Sequence, residues 1–321
     1  MVRRLRLGFF GTPAFAVPSL AALAASGHDI AGVVTQPDRP RGRGQHVTAE
    51  AVKQKALELR LPVLQPERLG DETFLAALDA LQLDLAVVVA YGRILTPRVL
   101  ATPKGGFINV HASLLPRWRG AAPVHRAILA GDTQTGVTIM RVVQALDAGN
   151  ILMAEETEIG ATETSVELGA RLSQSGAALL VRTVDALANG PIPERVQEEA
   201  LVTYASRLER RESRLDWAQP AGVVHNHIRG LQPWPMAAAM LGGSRVAFVR
   251  SEVASTQPAG ATPGAIVAVL PDALDVAAAP GVVRITEIQP EGRRAMPVRA
   301  FLGGRAISTG GRFDALPIAA P

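Results

Sequence analysis

Between residues 5 and 187 the chain alternates short apolar runs with longer segments whose apolar residues recur at helical spacing. Residues 5–10, 30–35, 85–89 and 107–110 read as strands, and 14–26, 49–59, 71–81 and 165–187 read as helices. A strand that is apolar throughout has to be covered on both faces, and strands separated by helices pair in parallel. The predicted fold class is therefore α/β, with a Rossmann-like, mainly parallel sheet and helices on both of its faces. Ligands of such sheets bind beyond the carboxyl ends of the strands, which is where residues 107–110 deliver the segment that follows them.

The last of these helices runs into Asn189-Gly190, with Pro191 and Pro193 beyond it. Residues 191–209 read as a linker. After it the pattern changes to short strands at 246–249, 265–269 and 282–288, punctuated by Gly242-Gly243, Pro280-Gly281 and Gly303-Gly304. Short strands between such turns predict a small β-barrel or sandwich. The expected division is thus 1–190, 191–209 and 210–321.

Of the 321 residues, 48% are hydrophobic and 19% charged, enough to build cores and too apolar for a disordered chain. Cysteine is absent, which excludes disulfides, thiolate nucleophiles and Cys-based zinc sites and fits a reducing compartment. Arg3, Arg4 and Arg6 precede an apolar run in the manner of a signal peptide, but Gly11-Thr12-Pro13 and Pro18 interrupt it, so a first strand is the better reading. No run of about 18 apolar residues offers a transmembrane helix. A soluble, cytoplasmic protein with no membrane partner is expected. The net charge of +4 arises from residue 210 onward, where 12 Lys and Arg face 8 Asp and Glu. That excess suggests a polyanionic partner.

Asn109 and His111 are two residues apart at the end of a strand, so their side chains emerge on the same side. An amide can hold an oxyanion, and an imidazole can donate a proton or a second hydrogen bond to it. A capped turn and a packed histidine would account for the same pair. The loop that follows, Ser113-Leu114-Leu115-Pro116-Arg117-Trp118-Arg119-Gly120-Ala121-Ala122-Pro123, carries apolar, aromatic and basic residues suited to a flat heterocycle with a charged group. Asp147, in Ala145-Leu146-Asp147-Ala148-Gly149, would add a proton acceptor, with Gly149 allowing a tight turn. Two alternatives are weaker: Gly8-Phe9-Phe10-Gly11 lacks the dinucleotide fingerprint, and His225-Asn226-His227 lacks a third ligand for a metal.

Phe10-Gly11-Thr12-Pro13, Thr35-Gln36-Pro37-Asp38-Arg39-Pro40, Ala90-Tyr91-Gly92, Asn109-Val110-His111, the 113–123 loop, Gly136-Val137-Thr138-Ile139-Met140 and Leu146-Asp147-Ala148-Gly149, in this order, resemble the methionyl-tRNA formyltransferase family. The resemblance continues through Leu215-Asp216-Trp217, Ile228-Arg229-Gly230 and Pro233-Trp234-Pro235. It implies transfer of a formyl group from 10-formyltetrahydrofolate to the α-amino group of methionyl-initiator tRNA, in translation initiation. It further implies a catalytic domain at 1–190 and an OB-like tRNA-binding domain at 210–321. By motif, Asn109, His111 and Asp147 match the catalytic residues, and Ser113, Leu114, Leu115 and Pro116 the folate-binding segment. Thr138 would support the site, while Tyr91, Gly92, Ile94, Leu95 and Leu146 would line the pterin pocket. No metal is expected, and the resemblance goes with a monomer.

The segment from Pro37 to His46 is basic and rich in Gly and Pro. The resemblance places it against the acceptor end of tRNA, with Arg39, Arg41 and Arg43 as contacts, and its composition suggests a loop that is mobile when free. Arg284, Arg293, Arg294, Arg299 and Arg305 are candidates for following a phosphate backbone. A sugar-nucleotide formyltransferase or a formyltetrahydrofolate hydrolase or dehydrogenase domain would share the Asn, His and Asp set. A non-catalytic RNA-binding protein would leave that set unexplained.

Overall fold

The computed structural model describes residues 3–41 and 46–317. The chain gathers into two compact units. Met1–Gly120, Thr135–Thr157 and Gly169–Tyr204 form the first, and Ala121–Gln134, Glu158–Leu168 and Ala205–Pro321 form the second. This divides the chain differently from the linear expectation. Most of the anticipated linker packs as part of the first unit, and two segments from within residues 1–190, Ala121–Gln134 and Glu158–Leu168, pack with the second.

The strands begin with β1 (Arg6–Gly11) and β2 (Asp29–Val34), followed by a hairpin of β3 (Arg39–Arg41) and β4 (His46–Thr48). Then come β5 (Val63–Leu64), β6 (Leu85–Val89), β7 (Phe107–His111), the two-residue β8 (Arg119–Gly120), β9 (Gln134–Arg141) and β10 (Ile151–Glu158). The main sheet has the order β10-β9-β7-β6-β1-β2-β5. From β5 to β7 the pairing is parallel, and β9 runs antiparallel to β7. Leu7, Phe9 and Phe10 of β1, an interior strand, are fully buried, as a strand covered on both faces requires. The helices of this unit are α1 (Val17–Ala25), α2 (Ala51–Glu58), α3 (Glu72–Ala80) and α4 (Pro97–Leu100); α5 (Pro123–Ala130) belongs to the second unit, and the 25-residue α6 (Ser165–Asn189) belongs to the first from Gly169 onward. The anticipated helix at 14–26 opens with a 3₁₀ turn before Pro18 sits in the first turn of α1, where its missing N–H costs nothing.

The second unit contains α7 (Ala221–Gly230) and follows β11 (Tyr204–Ala205) with β12 (Ala238–Leu241), β13 (Ser244–Ser255), β14 (Ile266–Val269), β15 (Leu274–Ala278), β16 (Gly281–Pro290), β17 (Met296–Pro297) and β18 (Phe313–Asp314). These give an antiparallel sheet ordered β14-β15-β16-β13-β12-β18, with β17 beside β16 and the short α8 (Val298–Leu302) after it. The sheet curls: a bridge between Ala265 and Arg312 ties the lead-in of the first strand to that of the last, giving the expected OB-like form. Its core gathers Trp217, Phe248 and Phe313, with ring centroids 5.2 to 6.0 Å apart, so three of the chain's few aromatics serve packing. Among the described residues, no helix is long and apolar enough to cross a membrane.

Candidate active site

β7 carries Asn109 and His111 on one face, with His111 in register with Thr138 of β9. The imidazole is only 5% exposed. Its Nε2 lies 2.8 Å from the Trp118 carbonyl oxygen, which can only accept. Nε2 therefore carries the proton. Nδ1, the nitrogen left to exchange protons, stands 3.8 Å from Asp147 Oδ2. The same carboxylate oxygen accepts the Gly120 N–H at 2.8 Å. Two backbone groups of the loop, Trp118 C=O and Gly120 N–H, thus hold the two titratable side chains from either side.

The turn around Asp147 differs from the expectation that Gly149 supplies its conformational freedom. The left-handed residue is Asp147 itself, at φ 47°. Asp tolerates that region better than most residues, and holding it there costs about 1 kcal/mol or more. Gly149 is required for another reason: a Cβ there would lie 1.8 Å from the Arg141 carbonyl oxygen.

Ser113 and Thr138 are fully buried, and their hydroxyls are occupied within the protein. Ser113 Oγ donates to Arg117 O at 2.6 Å; Thr138 Oγ1 donates to Ser113 O at 2.7 Å and accepts Leu115 N–H at 3.1 Å. They shape the turn that displays Leu114 and Pro116, both half-buried, while Leu115 is buried. Beyond it Trp118, at φ 64°, receives the Arg117 guanidinium 4.5 Å from its ring centroid.

At the end of β6 the predicted pterin-lining residues separate into two groups. Tyr91 is 1% exposed, its ring edge-on to Phe10 at 5.6 Å, and burial pushes its phenol up. Leu95 is buried as well. The Tyr91 and Leu95 side chains therefore pack in the core. Ile94 and Leu146 are 85% and 60% exposed. Gly92 turns the chain at φ 79°, and the Tyr91 carbonyl accepts Gln36 Nε2–H at 2.7 Å and the Thr12 hydroxyl at 3.3 Å.

Arg39 is exposed at the start of β3. The backbone of Arg41 pairs with that of His46, so β3 and β4 form the arms of a hairpin. Arg43 lies outside the described residues. Asp38 fixes the base of the hairpin through Lys53 and through Gln65 at 3.0 Å, and the Lys53 ammonium holds its carboxyl below the usual range.

In the second unit Arg284, a candidate for following a phosphate backbone, is already ion-paired. Its guanidinium binds both oxygens of Asp275, at 2.8 and 2.9 Å. Arg293, Arg294, Arg299 and Arg305 are exposed. His225 meets Ser251 Oγ and Ala161 O, and His227 meets Glu212 O.

Residues that the sequence reading passed over also sit here. Gln36 clamps the β6 turn, and Gln197, Arg119 and Thr203 meet the loop that frames His111 and Asp147. Gln36 and Arg119 lie within motifs already singled out, whereas Gln197 and Thr203 carry no local signal.

The formyl transferase family model matches residues 5–184, and the model for the formyl transferase C-terminal domain matches 207–306. The chain is 45% identical over 306 residues to the methionyl-tRNA formyltransferase of Moorella thermoacetica, covering 95% of this chain and 98% of that relative. It is 46% identical over 304 residues to the enzyme of the same name from Methylococcus capsulatus, with the same coverage. Among solved structures, HypX from Aquifex aeolicus in complex with tetrahydrofolic acid superposes with a TM-score of 0.65 at 15% identity, over 94% of this chain and 47% of that one. The N-formyltransferase from Helicobacter canadensis with folinic acid and dTDP-3-aminofucose gives 0.66 at 17%, over 88% and 98%. At such identities the last two speak to fold alone.

Proposed function

The chain belongs to the methionyl-tRNA formyltransferase family, and from that membership together with the geometry at the end of β7 we infer that it formylates methionyl-initiator tRNA through Asn109, His111 and Asp147. The formyl donor is 10-formyltetrahydrofolate and the acceptor is the α-amino group of the esterified methionine. The observation that carries the residue assignment is the 3.8 Å approach of Asp147 Oδ2 to His111 Nδ1, with Asn109 on the same face of the strand.

The residues present suit a flat donor. Ile94 and Leu146 leave apolar surface exposed in the expected pterin-lining segments, and the Thr138 hydroxyl ties Ser113 O to Leu115 N–H across the turn at 113–116. In the reaction the amine lone pair forms the new C–N bond while the carbonyl pair moves onto oxygen. The Asn109 amide holds that charge, and His111, with Nε2–H held by Trp118, adds a hydrogen bond from Nδ1 when that nitrogen has taken up a second proton. Asp147 accepts the ammonium proton, directly or through one water. When the carbonyl re-forms, the bond to the donor nitrogen breaks and that nitrogen leaves with a proton returned from the site. Each donor to the oxyanion is worth about 3 kcal/mol of barrier by comparison with other oxyanion sites.

Arg39, Arg41 and Arg43 are proposed to meet the acceptor end of the tRNA, and the exposed arginines of the second unit to meet its backbone. Supplying 10-formyltetrahydrofolate and charged initiator tRNA should yield formylmethionine, read by mass spectrometry. Formylation of an amino-sugar nucleotide, with none of the tRNA, would instead assign the chain to sugar chemistry.

A further inference from the structure

We propose that Gln197 is a positioning residue for Asp147, a role that rests on the reading of Asp147 as the proton acceptor. Gln197 lies in the proline-flanked stretch after α6, yet it is only 6% exposed. Its Nε2 donates to Asp147 O at 2.8 Å and to Gly149 O at 2.7 Å, and its Oε1 accepts from Arg119 Nε at 2.9 Å. Two carbonyls on one side and an N–H on the other leave a single orientation for the carboxamide.

The two ends of this bridge matter differently. One end grips both sides of the turn that keeps Asp147 at φ 47°. The other end grips Arg119, which lies between the Trp118 carbonyl that receives His111 and the Gly120 N–H that meets Asp147. Arg119 is itself buried, with its outer nitrogens on Glu199 at 2.8 and 3.4 Å and its backbone N–H on Thr203 O at 2.9 Å. Gln197 therefore fixes the strained residue and the loop that faces it to each other. Nothing in its placement requires it to touch substrate. Loss of the bridge releases a turn that is unfavourable by itself, and a displacement near 1 Å is enough to cost about 100-fold in rate.

The test is a double-mutant cycle on single-turnover formylation of methionyl-tRNA, using wild type, Gln197→Met, Asp147→Asn and the double variant. Gln197→Met keeps the length and removes every hydrogen bond. It should lower the rate about 100-fold, leave the affinity for a folate analogue within about 3-fold, and cause no further loss in the Asp147→Asn background. Gln197→Glu, which keeps an acceptor for Arg119 but cannot donate to both carbonyls, should show the same split and serves if the Met variant does not fold. Equal losses in both backgrounds, or a loss fully explained by a smaller folate-binding fraction, would overturn the proposal. A wild-type rate for Asp147→Asn alone would overturn the underlying reading instead.

Discussion

His111 Nδ1 and Asp147 Oδ2 face each other across 3.8 Å, each held by a backbone group of the same loop. The gap is too long for a direct hydrogen bond and leaves the carboxylate a free lone pair for an incoming proton. Since Nε2 is committed to Trp118, all proton traffic through the histidine passes by the nitrogen that faces Asp147.

Asn109→Ala removes an amide from a half-buried strand position without touching the turn at Asp147. The expected result is a kcat lower by about 100- to 1,000-fold with a nearly unchanged KM for the folate donor. Steady-state kinetics on charged tRNA checks it, and a change confined to KM would remove Asn109 from the oxyanion role.

Gly149→Ala tests the close approach beneath the site. The added Cβ would lie 1.8 Å from Arg141 O, a backbone atom that cannot step aside. We expect a stability loss of about 2 kcal/mol or more in urea unfolding, accompanied by loss of activity because the Asp147 turn moves with it. Wild-type stability would mean the turn is slack.

The legible part of this fold is the part set by local pattern. Phe9, Val33 and Val87 sit in runs that are apolar throughout, which only a strand buried on both faces explains. β10 escaped because its second half, Glu155-Glu156-Thr157-Glu158, is polar at an edge of the sheet. Asn109 and His111 could be paired by strand spacing alone. The left-handed backbone of Asp147 and its bond to Gln197, 50 residues away, are products of tertiary packing with no local signature. The same holds for Arg284, whose charge was visible but whose partner Asp275 becomes a neighbour only through the pairing of β15 with β16.

Three histidines predict a pH dependence of stability. Burial lowers the basicity of His125, His225 and His227 from the usual 6.5. Their unfolded forms bind protons more readily, so their contribution is complete above about pH 6.5 and is lost as pH falls below it. Glu167, held down to about 2 by Arg250, loses its contribution as pH falls from 4.5 towards 2 and does not act in this window. The urea midpoint should be lower at pH 5.5 than at 7.5, and His225→Gln should flatten that slope. A midpoint higher at pH 5.5 would contradict the burial argument.

Arg39→Ala removes an exposed cation from the hairpin whose base Asp38 anchors. kcat/KM for tRNA should fall, and the slope of its logarithm against that of salt concentration should shrink by about one, while folate affinity stays unchanged. Weakened folate binding would place this hairpin at the donor site.

The central claim is that Asp147 accepts the amine proton, and the single-turnover rate of formylmethionyl-tRNA formation by Asp147→Asn measures it. The substitution preserves shape and an acceptor for the Gly120 N–H while removing the base. The predicted result is a rate at least about 100-fold below wild type with folate binding intact; a rate equal to wild type would contradict it.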